Sequence, residues 1–168
     1  MTGIRVVHYI NQFFAGIGGE EKADIKPFKQ EGIIGPGSAL QAAFGEEMQI
    51  VGSVVCGDTY FNENLERVIP EVVDMIASFN PELFIAGPAF NAGRYGVACG
   101  AICDAVANKL NIPVITGMYE ENPGADMYKK SVYVVKTGNS AAKMRQAIPA
   151  IAKLALKLGK GEVIGTPE

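Results

Sequence analysis

The sequence is poor in the residues that common catalytic sites and small scaffolds require. It contains one histidine and three cysteines in 168 residues. A single histidine excludes a His-rich zinc site and argues against a Ser-His-Asp triad. An odd number of cysteines does not form a disulfide framework, so we expect reduced thiols.

Long apolar runs and excess positive charge are also missing. Stretches such as LFIAGPAF (83–90) are strand-sized, whereas a membrane-spanning helix needs roughly 20 apolar residues. The first residues pass directly into a strand-like run, without the pattern of a signal peptide. The formal net charge is -3, with no basic face or tail. We therefore expect a cytoplasmic domain with neither nucleic acid nor a membrane as its partner.

Apolar and polar segments alternate in a way that predicts the fold. A hydrophobic content of 48% in 168 residues is enough for one domain with a sizeable core. The predicted strands are residues 4–10, 49–56, 83–87, 112–118 and 131–136. Helices are predicted from a cap at Ser38, from Asn64, over 94–111, and from a cap at Asn139 or Ser140 to Gly159 or Gly161.

This alternation predicts an α/β fold of three layers. It should contain a doubly wound, mostly parallel sheet of about five strands, flavodoxin-like or Rossmann-like. We assign residues 1–158 to this single domain. Residues 159–168 (GKGEVIGTPE) carry glycine and proline without a core pattern, and we interpret them as a linker-like tail.

Polar loops with glycines follow four of the predicted strands. The carboxyl ends of parallel strands share one edge, where ligands of such sheets bind. We predict no catalytic and no metal-binding residue there. The candidate substrate- or partner-binding residues are Asn11, Gly18, Gly19, Glu20, Glu21, Asp58, Asn91, Arg94, Tyr95, Tyr119 and Glu120.

The first of these loops, GIGGEE (16–21), does not match a phosphate site. A dinucleotide fingerprint would need glycine where Glu21 stands, and the chain has no Gly-Lys-Ser/Thr triplet of a P-loop. Two adjacent carboxylates would also repel a pyrophosphate. The acids suit an ammonium group, a cationic partner, or the N-terminus of a helix, whose dipole favours Glu.

Three further residue types each have a functional and a structural interpretation. Arg94 could hold a carboxylate, or it could pair with an acid of a neighbouring loop or lie in a subunit interface. Cys56 ends a strand beside the proposed edge and could be a reactive thiol, but burial is the better interpretation for it and for Cys99 and Cys103. His8, within the first strand, is interpreted as a buried, hydrogen-bonded residue of the sheet and not as a base.

Five stretches, taken together and in order, closely resemble one family over nearly the whole chain. They are IRVVHYINQFFAGIGGEEKAD, VVCGDTYFNEN, AGPAFNAGRYGVACG, TGMYEENPGADMY and NSAAKMRQAIPAIAKLALKL. They resemble the N-terminal part of selenoprotein B of the glycine/sarcosine/betaine reductase family. Strings of this length are far more specific than a lone glycine motif.

The resemblance implies a role in an oxidoreductase complex of anaerobic, amino-acid-fermenting bacteria. In that family, a companion subunit of protein B carries a pyruvoyl group that binds the substrate amine. A selenocysteine attacks the α-carbon, the carboxymethyl group passes to selenoprotein A, and protein C yields acetyl phosphate. The implied partners are the pyruvoyl-bearing subunit, selenoprotein A and a small amino-acid substrate, in an oligomeric assembly.

The chain departs from the family in one respect: it contains no selenocysteine. The family's chain runs well past position 168 and carries its selenocysteine in that later region. We therefore expect no cofactor and no nucleophile in this chain, which alone should be inactive. Two other functions stay open: a stand-alone ligand-binding or complex-assembly module without catalysis, and a flavin-type enzyme, against which the failed phosphate motifs weigh.

Overall fold

A computed structural model describes residues 3–160. Within this range the chain forms six strands and six helices, with 3-10 turns at Glu20–Lys22 and Ala141–Lys143. The strands are Ile4–Asn11 (β1), Phe28–Glu31 (β2), Met48–Cys56 (β3), Leu83–Phe90 (β4), Val114–Met118 (β5) and Tyr133–Lys136 (β6). The helices are Gly37–Phe44 (α1), Asp58–Glu63 (α2), Leu65–Ala77 (α3), Gly93–Leu110 (α4), Pro123–Tyr128 (α5) and Met144–Gly159 (α6).

The six strands form one sheet in the order β2-β3-β1-β4-β5-β6. All neighbouring pairs are parallel except β2 and β3, which are antiparallel. The five parallel strands, numbered along the chain, have the order 2-1-3-4-5 of flavodoxin-like sheets. The predicted doubly wound α/β fold is thus confirmed. The strand order reverses between β1 and β4, and this is where ligands of such folds bind.

The sheet has one strand more than the five we predicted. β2 lies in the long segment after β1 and pairs with the outer edge of β3. Its sequence FKQE is half-buried at Phe28 and exposed at the other three positions. A polar, four-residue edge strand has no hydrophobic period of its own, since it is formed by pairing with β3 and not by burial.

Two hydrophobic clusters cover the two faces of the sheet. Successive side chains of a strand point to opposite faces, and β1 shows this directly. Val7 and Tyr9 belong to the cluster under α3 and α4, whereas Val6 belongs to the cluster under α1 and α6. β4 is buried at all eight positions, as expected for a central parallel strand covered on both faces.

Two predicted helix caps were wrong, although the helices exist. Ser38 lies inside α1, which begins after Pro36 without a side-chain cap. Ser140 precedes the 3-10 turn, not α6, and its side chain makes no capping hydrogen bond there. The predicted ends of two helices are confirmed: α4 stops before Asn111, which is left-handed at φ 55°, and α6 ends at Gly159. Most of the predicted linker-like tail, residues 161–168, lies outside the described residues.

Candidate functional site

A cavity of about 360 Å³ opens at the carboxyl ends of β1 and β4. We call it the switch-point cavity, because it lies where the strand order reverses. Segments that are far apart in the sequence form it. It is lined by Asn11, Gln12, Phe13, Phe14, Gly19, Glu20, Asp58, Ala89, Phe90, Asn91, Ala92, Asn139, Ser140 and Ala141.

Three buried polar side chains connect the end of β1 to the start of α2. Asn11 donates from Nδ2 to Asp58 Oδ2 at 2.9 Å and accepts the Phe14 amide at its Oδ1 at 3.0 Å. Gln12 Oε1 accepts the Asp58 amide at 3.1 Å, and its Nε2 donates to the Gly19 carbonyl at 3.4 Å. These bonds hold the Asp58 carboxyl group at the cavity wall.

Asp58 carries a buried carboxyl group whose hydrogen bonds are incomplete. It is 6% exposed, and its Oδ1 is a buried atom without a hydrogen-bond partner. Burial raises the pKa of this carboxyl group above its ordinary value, while the Asn11 hydrogen bond and the charge of Arg94 act in the opposite direction. A desolvated carboxylate with one free oxygen is a strong acceptor for a ligand that carries a donor or a positive charge.

The two acids of GIGGEE have different partners. Glu20 forms an ion pair with Arg94 across the cavity mouth, and Arg94 also donates to Thr59 Oγ1 at 2.5 Å. Glu21 accepts the Gly19 amide at 3.0 Å, and hydrogen bonds from the backbone lower the pKa of its carboxyl group. Arg94 therefore pairs with an acid of a neighbouring loop, as one of its structural interpretations predicted.

The opposite wall of the cavity depends on a strained backbone position at the end of β4. Phe90 has φ 51°, a left-handed conformation that is costly for a bulky residue. Its carbonyl accepts the Tyr119 amide at 2.8 Å and Asn122 Nδ2 at 3.0 Å. Asn122, 1% exposed, also donates to the Ala92 carbonyl and caps α5 by accepting the Gly124 amide. One buried amide side chain thus fixes residues 90–92.

The structure brings together five of the eleven predicted binding residues. They line the switch-point cavity and are Asn11, Gly19, Glu20, Asp58 and Asn91. Gly18, Glu21, Arg94 and Tyr119 do not line it. Glu120 lines a second cavity of about 380 Å³ beside β5 and β6, together with Asp126 and Lys129. The binding roles of all eleven residues stay predictions.

Tyr95 differs most from its predicted place. It is fully buried beneath the cavity, and its ring packs against Tyr9 and Phe14 with centroids 6.3 and 5.8 Å away. Its side chain therefore belongs to the core and does not reach a ligand at the surface. Arg94, its neighbour in α4, is exposed. The rotation of α4 decides which of two adjacent residues faces outward.

Sequence reasoning left several cavity residues out of the candidate set. The missed residues include Gln12, Phe13 and Phe14, which follow Asn11, and Phe90, which precedes Asn91. Their position beside a strand end was the signal that could have identified them. The sequence around Asn139 and Ser140 resembled a helix cap, so these two residues were not considered as binding residues. Their position at the cavity follows from the path of the chain after β6, which local sequence does not encode.

The interpretations of the thiols and of His8 are mostly confirmed. Cys56, Cys99 and Cys103 are free and buried. His8 is fully buried, with Nε2 2.7 Å from the Gly87 carbonyl oxygen, but its Nδ1 has no partner. The expected hydrogen-bonded histidine is thus bonded at one ring nitrogen only. Burial lowers its pKa from 6.5 to about 4.

We expect the three thiols to be unreactive in the folded protein. Burial, with added repulsion from Asp58 and Glu71, raises the pKa of Cys56 to about 12, so its thiolate is scarce at neutral pH. Labelling by a small disulfide reagent should be at least about a hundredfold slower than for the urea-unfolded chain, which exposes all three. Rapid labelling of one thiol in the folded protein would restore Cys56 as a candidate nucleophile.

Metal clusters and membrane-length helices do not occur within residues 3–160. No group of three or more His, Cys, Asp or Glu side chains is placed to hold a metal ion. No helix in this range is both long enough and apolar enough to cross a membrane.

Comparison with known proteins identifies the family. The family described as glycine/sarcosine/betaine reductase selenoprotein B (GRDB) matches residues 3–168. The chain belongs to this family. The resemblance inferred from the sequence strings is thereby confirmed. No solved structure matches the chain.

Relatives in this selenoprotein B family carry the names of three different reductases. The chain is 60% identical over 168 residues to the glycine reductase complex component B subunit gamma of Carboxydothermus hydrogenoformans. It is 56% identical over 168 residues to the sarcosine reductase component B subunit beta of Peptoclostridium acidaminophilum, and 42% over 161 residues to the betaine reductase component of the same organism. These matches cover 100%, 100% and 96% of this chain but only 39%, 38% and 37% of the relatives.

Proposed function

We propose that this chain is the N-terminal α/β domain of the substrate-specific protein B of a glycine, sarcosine or betaine reductase complex. Its role is to bind the small amino-acid substrate, not to supply the nucleophile. The observation that carries this proposal is the switch-point cavity, whose two charged lining residues, Glu20 and Asp58, are both acids. Such a lining disfavours phosphate and suits a small ligand with a positive charge.

The names of the relatives support this choice of ligand. Glycine, sarcosine and betaine differ only in the methylation of one amine, and each is a zwitterion at neutral pH. The three relatives named for them match nearly all of this chain. A domain shared by all three should therefore contact what the substrates have in common, a short carboxylate next to a positively charged nitrogen.

The chemistry itself is assigned elsewhere in the complex. This chain has no selenocysteine, and its three thiols are buried. We infer that a selenocysteine in a later part of protein B attacks the substrate, after the amine bound in this domain has passed to the pyruvoyl group of a companion subunit. Selenoprotein A accepts the carboxymethyl group. The assembly is an oligomer in the cytoplasm, and this domain by itself is inactive.

Blocking the cavity tests the proposal. Ala141 is exposed and lines the cavity, so Ala141→Trp should fill part of it without disturbing the core. In a complex reconstituted with full-length protein B, we expect the substrate KM to rise about tenfold or more, with assembly unchanged by size-exclusion chromatography. The matched control is Ala39→Trp, at an exposed position on α1. Equal KM values for both variants would refute the proposal.

A complex-assembly module without substrate binding is the second candidate. Exposed apolar side chains beside the cavity favour it: Phe13 is 59% exposed and Ile17 is 38% exposed, both in the loop after β1. Phe13→Ser should then prevent co-purification of the companion subunit while leaving the isolated chain folded. The intact mass and the selenium content of the native protein distinguish the substrate-binding domain from the assembly module. A selenium-free species of 17.8 kDa would favour the stand-alone module.

A further inference from the structure

We propose that Asp58 is the ammonium-binding residue of the switch-point cavity, and that the cavity takes a small primary or secondary ammonium ligand. The ammonium site rests on the geometry and the charge of the cavity. That the ligand is an amino acid rests on the proposed function. Nothing in the names of the relatives assigns a residue to this role.

Asp58 has the one free buried polar atom at the cavity. Five buried side-chain atoms within residues 3–160 lack a hydrogen-bond partner, and only Asp58 Oδ1 belongs to a lining residue. Its other oxygen accepts from Asn11 Nδ2, and the remaining side-chain groups of Asn11 and Gln12 are bonded to the backbone of Phe14, Asp58 and Gly19. The site therefore presents one acceptor and no competing donor at that point.

The charge balance of the cavity favours a cation at this acceptor. Glu20 is already paired with Arg94, and no Lys or Arg lines the cavity in the part of the chain that the structure describes. A carboxylate that is 6% exposed, and that shares the charge of Arg94 with Glu20, is costly to the fold, and a bound ammonium group would offset that cost. Too few acids converge here for a metal ion to be the better occupant.

The rest of the lining suits the remainder of a small zwitterion. Phe13, Phe14 and Phe90 line the cavity, and aromatic rings attract cations, including N-methylated ones. Asn91 and Ser140 carry side-chain donors for a carboxylate. Because Asp58 Oδ1 needs an N–H donor, glycine and sarcosine should bind better than betaine, whose nitrogen has none.

The test is an NMR titration of the purified chain with four probes: methylammonium, acetate, sarcosine and betaine. We expect methylammonium and sarcosine to shift the amide signals of Phe14 and Asn91, with sarcosine binding roughly tenfold tighter than betaine. In Asp58→Asn these shifts should require roughly 30-fold more ligand. The control Asp74→Asn removes the same charge from an exposed position of α3 and should change nothing.

The outcomes separate this inference from the proposed function. If sarcosine binds the Asp58→Asn protein as tightly as the unchanged one, the ammonium assignment is wrong and the proposed function stands. If methylammonium binds through Asp58 but no amino acid does, the ammonium site stands and the proposed function falls. A cavity in which no probe binds, and in which water alone satisfies Oδ1, overturns both.

A second measurement avoids the variant altogether. Methylammonium keeps its charge at acidic pH, so any loss of its binding on acidification reports protonation of the protein and not of the ligand. We expect binding to weaken as the pH falls and Asp58 takes up a proton; equal affinity throughout would contradict the assignment. The charged and titratable groups that face Asp58 are Tyr9, Glu20, Cys56, Arg94, Tyr95 and Cys99.

Asp58→Asn should itself remain folded. The new amide oxygen can keep the hydrogen bond from Asn11, and the buried charge is removed. Thermal unfolding of the free protein is therefore expected at the same or a higher temperature, whereas methylammonium should raise the unfolding temperature of the unchanged protein only. A variant that is more stable yet does not respond to ligand has lost a binding group and not a structural one.

Discussion

Replacing Gly96 with alanine is expected to destabilise the protein by roughly 2–4 kcal/mol. An added Cβ would lie 2.1 Å from Asn122 Oδ1 and 2.3 Å from its Nδ2. Asn122 cannot move aside cheaply, because its buried amide makes hydrogen bonds to Phe90, Ala92 and Gly124. At an exposed position inside a helix, the same change from glycine to alanine would stabilise the protein by about 1 kcal/mol. The clash with Asn122 therefore decides that Gly96→Ala is destabilising.

Urea unfolding measures this effect, and α4 contains its own control. Gly93 begins the same helix, and an added Cβ there would meet only Pro123, at 3.7 Å, which is ordinary contact. Gly93→Ala should therefore change the free energy of unfolding by less than about 1 kcal/mol. If Gly96→Ala is equally harmless, residues 90–92 are not held as rigidly as the Asn122 contacts indicate.

A double-mutant cycle identifies the cause. Asn122→Ala removes the side chain that Gly96→Ala would strike, so the second change should cost much less when the first is present. We expect a coupling energy of roughly 1–3 kcal/mol between the two positions. Additive costs would mean that the strain of Gly96→Ala does not arise from the Asn122 side chain.

The sheet was predictable because its central strands carry their signal locally. Runs such as IRVVHYI and LFIAGPAF are buried on both faces, and buried parallel strands have continuous apolar sequences. β2 was not predictable, since three of its four residues are exposed and its pairing depends on β3. The six-residue helices α2 and α5 are likewise too short for a clear helical period.

The edge of the sheet that holds the site was predictable, but the orientation of each side chain was not. Topology places the carboxyl ends of the five parallel strands at that edge, and five predicted residues meet there. Tyr95 illustrates the limit: it adjoins Arg94 in sequence, yet packing rotates it into the core. Asn122 illustrates the converse, since a polar residue in a loop proved to be buried and to position the cavity wall.

His8 should make the protein sensitive to acid. Its pKa is lowered from 6.5 to about 4 by burial, so between these values the unfolded chain binds a proton that the folded protein does not. The free energy of unfolding is therefore complete above about pH 6.5 and falls as the pH drops towards 4. At 1.36 kcal/mol per pKa unit, the loss at about pH 4.5 is roughly 2–3 kcal/mol.

The matched variant for this prediction is His8→Gln, which does not titrate. Its amide can donate to the Gly87 carbonyl, the partner of His8 Nε2, so the hydrogen bond can be kept. Asp58 acts in the opposite direction, because its raised pKa makes the folded state relatively more stable as the pH falls. Comparing the two proteins by urea unfolding at neutral pH and at about pH 4.5 cancels the Asp58 contribution and leaves that of His8. Parallel pH dependences would show that His8 is protonated in the folded state, in which case its unpartnered Nδ1 would have to find an acceptor close to Gly37 in α1.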